Sequence, residues 1–327
     1  MGPRPDLPPF PNGWFIFGMS DELTPGNLLA RKFMGQEVTV FRTESGQAFA
    51  VDSYCAHLGA HFGYGGTVKG EVLQCPFHGF QYDGAGVCVR TGYDSPVPPA
   101  AKLRTWPLRE QNGFLLVHHH VNGEAPRWEV PPVETEGWTP LIYQSFTLDD
   151  HPQETTENSV DLGHFAYIHG YRQPRTLKEF EASGAYLSTG YAVRRALRLF
   201  GLDVTDYDFS FETQIHGLGY SLVDVSVPLF RVTARLWVLP TSIDAEKLTL
   251  RLALRVKKWP GPGALFSPLV ARLILNGFVH DARQDFPIWE NKRYTQPPAL
   301  AKGDGPIGRY RQWAKQFYSP SNRIESG

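Results

Sequence analysis

Cys55-Ala56-His57-Leu58-Gly59 and Cys75-Pro76-Phe77-His78-Gly79 stand in the first third of the chain, with seventeen residues between His57 and Cys75. Each half offers one thiolate and one imidazole from a short loop. Such a donor set suits a [2Fe–2S] centre in which one iron takes two sulfur ligands and the other takes two nitrogens. Histidine is scarce, 11 in 327 residues, so one at each required offset stands out from background. A zinc site can use the same residue types, but zinc modules more often read Cys-x-x-Cys followed by paired histidines. The pattern points to electron transfer.

Outward from these loops, Trp14 to Val121 breaks into short apolar segments separated by Gly, Asp and Asn. Glu37–Phe41, Ala48–Val51 and Gly113–Val117 read as strands of a small all-β domain, with both ligand loops between strands. Gly59 and Gly79 permit unusual dihedrals beside the ligands, and Pro76 stiffens its loop. The proline-rich stretch Asn122 to Pro140 marks a boundary, giving domains at 1–130 and 131–327. Beyond it, residues 186 to 256 carry long alternating segments, such as Tyr220 to Val227 and Leu229 to Leu239, that predict an antiparallel sheet. Helices are expected near 153–169 and 264–294. The fold class is α+β.

Bulk properties narrow the function. A net charge of −1 gives no global electrostatic case for nucleic acid or an anionic surface. Three cysteines make no disulfide framework; two belong to the loops, and Cys88 reads as a small buried residue. This balance suits a reducing cytoplasm. Met1 to Gly13 lacks a signal-peptide pattern, and Asp6 stands where myristoylation after Gly2 wants Ser or Thr. The most apolar stretch, Ala264 to Val279, is interrupted by Arg272 and Asn276 and reads as too short to span a bilayer. It could still rest on a membrane surface or line an apolar pocket.

A second constellation runs from Glu157 to His169. Asp161 and His164 are three apart and share a helix face. His164 and His169 are five apart, which separates them by about 140° on an ideal helix. To meet on one metal, the helix must end or widen between them, and Gly170 offers a stop. Two histidines and one carboxylate with an open face form the facial triad of non-haem Fe(II) oxygenases. The carboxylate has two candidates, Asp281 and Asp285.

With both motifs in order, the chain resembles the oxygenase component of a Rieske non-haem iron oxygenase over nearly its full length. The segment Gln284 to Lys292 and the tail Asp304-Gly305-Pro306 through Trp313 to Tyr318 resemble ketosteroid hydroxylases and cholesterol desaturases. That resemblance favours Asp285 over Asp281 as the ligand. It implies that Cys55, His57, Cys75 and His78 hold the Rieske cluster and that His164, His169 and Asp285 hold mononuclear Fe(II). Electrons would come from NAD(P)H through a ferredoxin or a flavin/iron–sulfur reductase. A head-to-tail homotrimer is implied, in which Asp161 bridges imidazoles across the interface and Asn158 places an amide near the iron. The implied substrate is a sterol or steroid, open to hydroxylation, desaturation or oxidative demethylation.

Other features weigh against this reading or add to it. An aromatic acid O-demethylase of the same family is an alternative, and it wants a cation in the pocket from Arg194, Arg195 or Arg235. A Rieske electron carrier without its own chemistry needs only about the first 120 residues. His118-His119-His120 point to alternating faces and read as a solvated strand end, not a chelate. His61, His151, His216 and His280 read as ordinary polar residues. Phe209, Phe211, Leu218, Tyr220, Phe230 and Leu236 are candidates for an apolar pocket or for core. Arg309-Tyr310-Arg311-Gln312-Trp313 reads as a solvated helix face, with docking of an acidic redox partner as the alternative.

Overall fold

Short segments of β-branched and aromatic residues separated by glycine turns dominate the N-terminal third, and they pair locally in antiparallel fashion. The computed structural model describes residues 7–199 and 202–320; Gly2 and Asp6 lie outside them. Gln36–Arg42 and Ala48–Asp52 pair at the centre of a four-stranded sheet with Leu28–Phe33 and Thr105–Trp106. A smaller four-stranded sheet holds Thr67–Lys69, Val72–Gln74, Gln81–Tyr82 and Cys88–Arg90. Gly13–Met19 joins Phe114–His119 and Leu108–Gln111 in a third.

The second half is built on one seven-stranded antiparallel sheet. Its strands are β1 (Ile142–Leu148), β2 (Arg172–Ser183), β3 (Tyr186–Leu199), β4 (Leu202–His216), β5 (Ser221–Val227), β6 (Val232–Ser242) and β7 (Leu248–Val256). The order is β1-β7-β6-β5-β4-β3-β2, so all strands but the first form a simple meander. β1 and β2 lie outside the expected 186–256. β2 is exposed along nearly all its length, and a strand with no buried face carries no alternating signature. The expected segment 229–239 is shifted, because a single 3-10 turn, Pro228–Phe230, separates β5 from β6.

Helices α1 (Pro152–Glu157) and α2 (Leu162–Tyr167) replace the single helix expected over 153–169. Asp161 breaks the run as the N-cap of α2, its carboxylate accepting from the amides of Gly163 and His164. The long helix α3 (Ser267–Asn291) lies across β7 and β1, with α4 (Ile307–Ala314) near the C-terminus. Ala271, Leu275, Val279 and Trp289 enter the core formed with Leu250, Leu252 and Leu254. Burial of each of these larger side chains is worth about 1.5–3 kcal/mol.

One expectation is corrected here. The helical run Gly261–Asn291 is long and apolar enough by length and composition to cross a membrane. The stretch Ala264 to Val279, read as too short and interrupted by Arg272 and Asn276, belongs to a longer helix that continues through His280 and Asp281.

Two further expectations change. His118 and His119 are 5% and 3% exposed, not solvated. They do point to opposite faces: His118 meets Trp14 edge-on at 5.2 Å, while His119 Nδ1 bonds the carbonyl of Pro11 at 3.0 Å. Packing of Gly13–Met19 across the strand end covers both. The basic tail is likewise packed: Tyr310 and Trp313 are buried, Arg309 lies over Phe180, and Arg311 grips Glu157 at 2.6 and 2.9 Å.

Candidate metal centres

The two cysteine–histidine loops share one backbone design. The amide of Cys55 donates to Ala60 O (2.9 Å) and that of Gly59 to Cys55 O (2.9 Å). In the other loop Cys75 donates to Phe80 O (2.8 Å) and Gly79 to Cys75 O (3.2 Å). Gly59 and Gly79 hold φ of 74° and 69°, the left-handed region that glycine enters without strain. Gly92 is required for a different reason, since a Cβ there would meet His78 O at 2.0 Å.

This frame brings the four side chains together. The His57 and His78 rings lie 4.8 Å apart, and His57 stacks on Phe80 at 4.3 Å. Both cysteines are buried. Burial, with Cys55 close by, pushes the Cys75 thiol up. His78 Nδ1 is a buried nitrogen with no hydrogen-bond partner, a costly state for a polar atom unless it ligates something. The donor set and that orphaned nitrogen fit a [2Fe–2S] cluster held by Cys55, Cys75, His57 and His78. Tyr82 Oη lies 3.2 Å from Cys55 Sγ and is placed to tune that thiolate. Cys88 is buried and stands apart from this set, its Sγ facing Arg90 O.

The second centre forms where α2 ends. Gly170 turns the chain with φ of 65°, and the Tyr171 amide closes onto Phe165 O at 2.9 Å. The helix thus ends before His169, which swings back over His164 with ring centroids 5.1 Å apart. Asp285 reaches the pair from α3. One ligand atom from each of His164, His169 and Asp285 lies within 4.8 Å of the others. His169 Nε2 is 3.5 Å from Asp285 Oδ2.

Second contacts fix which ring nitrogens face inward. His164 Nδ1 donates to Asp161 O at 2.6 Å, and His169 Nδ1 donates to Gln284 Oε1 at 3.0 Å. Both Nε2 atoms are left for a metal, the arrangement common to ligating histidines. Burial lowers the His164 imidazole, whereas for His169 the Asp285 carboxylate and Gln284 outweigh burial and raise it. Three inward donors of this type fit an Fe(II) facial triad.

The other candidate carboxylate is already engaged. Asp281 accepts both Arg195 terminal nitrogens, at 2.6 and 2.9 Å, and the Tyr171 hydroxyl at 2.9 Å. Asp161 keeps its carboxylate on the helix cap, 4.0 Å from His164 Nδ1 and partly exposed. Asn158 accepts from Trp289 Nε1 at 3.3 Å and lines the cleft beside the triad. Two buttresses escaped the sequence reading. Gly305, at φ 85°, packs where a Cβ would strike Val160 O at 2.3 Å, and Lys292 binds the buried Glu154 at 3.1 Å. Both lie in segments that carry the family resemblance, Lys292 at the end of Gln284 to Lys292 and Gly305 in the tail, but neither residue's contact was foreseen.

A cleft of about 830 Å³ of atom-free space, partly open to solvent, runs from the triad across the sheet. Phe209, Phe211, Val225, Leu236, Val238 and Leu252 form much of its wall, and no lysine or arginine among the described residues lines it. Leu218 and Tyr220 are core residues instead, and Phe230 sits exposed at the Pro228–Phe230 turn. Arg195 is spent on Asp281, Arg194 pairs with Asp208 on the surface, and Arg235 pairs with Asp224 and stacks on Trp138.

Residues 13–107 match the family model of the Rieske [2Fe-2S] domain, and residues 117–318 match that of the 3-ketosteroid 9alpha-hydroxylase C-terminal domain. The cholesterol 7-desaturase of Hemicentrotus pulcherrimus is 31% identical, with 97% of this chain and 72% of that protein covered. A 3-ketosteroid-9-alpha-monooxygenase oxygenase component of Rhodococcus rhodochrous is 29% identical, with 94% and 81% covered. Among solved structures, dicamba monooxygenase bound to dicamba superposes with a TM-score of 0.74 at 16% identity, covering 94% of this chain and 96% of that one. NdmA of Pseudomonas putida CBB5 gives 0.71 at 20% identity, covering 93% and 89%.

Proposed function

The chain belongs to the Rieske non-haem iron oxygenases, in the group with the 3-ketosteroid 9α-hydroxylase catalytic domain, and we propose that it oxidises a neutral sterol or steroid with O2. The observation that carries the substrate class is the cleft wall: largely apolar and aromatic, and free of lysine and arginine among the described residues. A rigid apolar ring system gains by burial there, whereas a carboxylate substrate would lose its hydration without a cation to replace it. That asymmetry separates the proposal from an aromatic acid O-demethylase.

In this reading the domains divide at 130/131. When bound, the cluster supplies single electrons and the mononuclear Fe(II) supplies O2 activation. The protein's own part is orientation. Asp161 O and Gln284 hold the two imidazoles in one tautomer, and the Arg195–Asp281–Tyr171 group braces the wall behind His169. Asn158 presents an amide beside the triad, held by Trp289. The apolar wall offers a bound ring system contacts that displace water from that end of the cleft.

Electrons are proposed to come from NAD(P)H through a separate reductase or ferredoxin. The half-buried His57 and His78, rimmed by exposed Leu58 and Phe77, give the cluster a face on which to exchange them. A homotrimer that sets this face against a neighbour's Asp161 accounts for a carboxylate left partly exposed one residue before the iron helix. A cytoplasmic location accords with reduced cysteines.

The test is turnover. The purified holoenzyme, reduced by a surrogate reductase and NADH in air, is offered sterols, ketosteroids and methoxy-aromatic acids, with products followed by mass spectrometry. A steroid that gains one oxygen or loses two hydrogens supports the proposal and separates hydroxylase from desaturase. Conversion of the aromatic acids alone overturns the substrate class.

A further inference from the structure

The first half of α3 has two faces of opposite use. Ala271, Leu275 and Val279 are buried against the sheet. Leu265, Leu269 and Leu273, spaced at i, i+4 and i+8, are 83%, 57% and 63% exposed on the other side, and Phe266 beside them is 61% exposed. Continuous exposed apolar surface of this kind marks an interaction site.

The patch extends beyond the helix. Trp259 Nε1 donates to Arg231 O at 2.9 Å and its amide donates to Ser267 Oγ at 3.1 Å, tying the β5–β6 turn to the start of α3. That turn exposes Leu229 and Phe230. From Phe230 a file of rings leads inward: Tyr207 at 5.4 Å, then Phe209 at 6.2 Å, then Phe211 at 6.1 Å, then Phe165 at 5.3 Å. Phe209, Phe211 and Phe165 line the cleft at the triad. A file of packed rings therefore links the outer patch to the cleft wall beside the metal centre.

Cations gather around this face, while the carboxylates beside Tyr207, Asp206 and Asp208, are already paired with Arg172 and Arg194, and Glu136 lies next to the Gly137 that Lys258 bonds. Arg231, Lys257, Lys258 and Arg272 are exposed around the patch, and neither 225–243 nor 247–280 contains an aspartate or glutamate. Apolar side chains framed by cations match an anionic bilayer surface, where apolar burial and electrostatic attraction act together. Spanning is excluded by the opposite face of the same helix, which holds Asp281 and Asp285 in the protein interior.

We infer that this face, Leu229–Phe230 with Leu265, Phe266, Leu269 and Leu273, seats on an anionic lipid bilayer. The apolar substrate then passes from the membrane along the Phe230–Tyr207–Phe209 file to the triad. The second statement rests on the sterol reading above; the first does not. The enzyme is a peripheral protein whose cleft opens toward the lipid that stores its substrate.

Flotation of the holoenzyme with vesicles tests it, using phosphatidylcholine alone and phosphatidylcholine mixed with phosphatidylserine. The expected result is binding to the mixed vesicles, weakened by salt, and lowered about tenfold or more by the double substitution Leu269→Glu/Leu273→Glu. Lys257→Gln/Lys258→Gln should weaken only the serine-dependent part. Cluster absorbance and turnover of a detergent-solubilised sterol show that the variants are intact. Absence of binding by the wild type, or equal binding by the double glutamate variant, overturns the proposal. So does loss of oligomeric state in that variant, which would give the face to a second copy. Vesicle binding by a protein that converts no sterol upholds the surface and overturns the substrate reading instead.

Discussion

Arg195 donates both terminal guanidinium nitrogens to Asp281, at 2.6 and 2.9 Å, one helical turn before Asp285. A carboxylate held in this way is unavailable as a metal ligand, which favours its neighbour Asp285 as the proposed ligand. Asp281→Asn should keep the mononuclear iron, whereas Asp285→Asn should lose it while the cluster colour persists. Iron counted per chain checks both. Arg195→Gln leaves Asp281 buried without its cation and should cost about 3 kcal/mol in a urea titration.

Gln284 sits beside Asp285 in sequence and accepts from the far side of the His169 ring. Gln284→Leu removes that acceptor and should lower iron affinity about 10- to 100-fold, with the cluster spectrum unchanged. Gln284→Glu restores an acceptor and should recover most of the affinity. Equilibrium dialysis against iron distinguishes the two variants.

Asp161 holds two amides of α2 as an N-cap, and asparagine caps helices about equally well. Asp161→Asn should therefore fold and bind both metals normally. If the charge serves electron transfer across a subunit interface, coupled turnover should nearly vanish while reduction of the cluster by the reductase stays fast. Full turnover would refute that role. Asp161→Ala should cost about 1 kcal/mol through the lost cap alone.

His118 and His216 are both lowered to about 4, chiefly by burial. Their neutral forms are the folded forms, so the unfolded chain takes up protons first as pH drops through 6.5. The histidine share of stability should thus be fully retained above pH 6.5, be lost between 6.5 and about 4, and level off below. Each histidine contributes a slope of about 1.4 kcal/mol per pH unit at most. His118→Phe keeps the aromatic contact with Trp14 and should remove one histidine's share of that slope, read from urea midpoints across pH.

Both candidate metal sites were legible as donor clusters because their chemistry is local. Cys55 with His57, Cys75 with His78, and His164 with His169 each lie within a few residues of one another, and glycines (Gly59, Gly79, Gly170) mark the turns beside them. The mutual approach of these pairs could be inferred only from chemistry. Asp285 needed the resemblance, since spacing alone left it level with Asp281; the deciding contact, Arg195, comes from a strand some 90 residues earlier. Gln284 carries no signature of its own. The strand Arg172–Ser183 was missed because neither of its faces is buried, and His118 and His119 were misjudged because a partner strand a hundred residues away covers them.

The distances along the chain also set an order of events. Cys55 to His78 span one compact piece of the first third, closed by hydrogen bonds within each loop. His164 and His169 must wait for Asp285, and for Lys292 and Gly305 behind it, before three donors converge. During synthesis the cluster loops emerge and close long before the last helix leaves the ribosome. The cluster site can thus be filled while the His164–His169–Asp285 set does not yet exist, so a half-made chain would have no place for the iron proposed there.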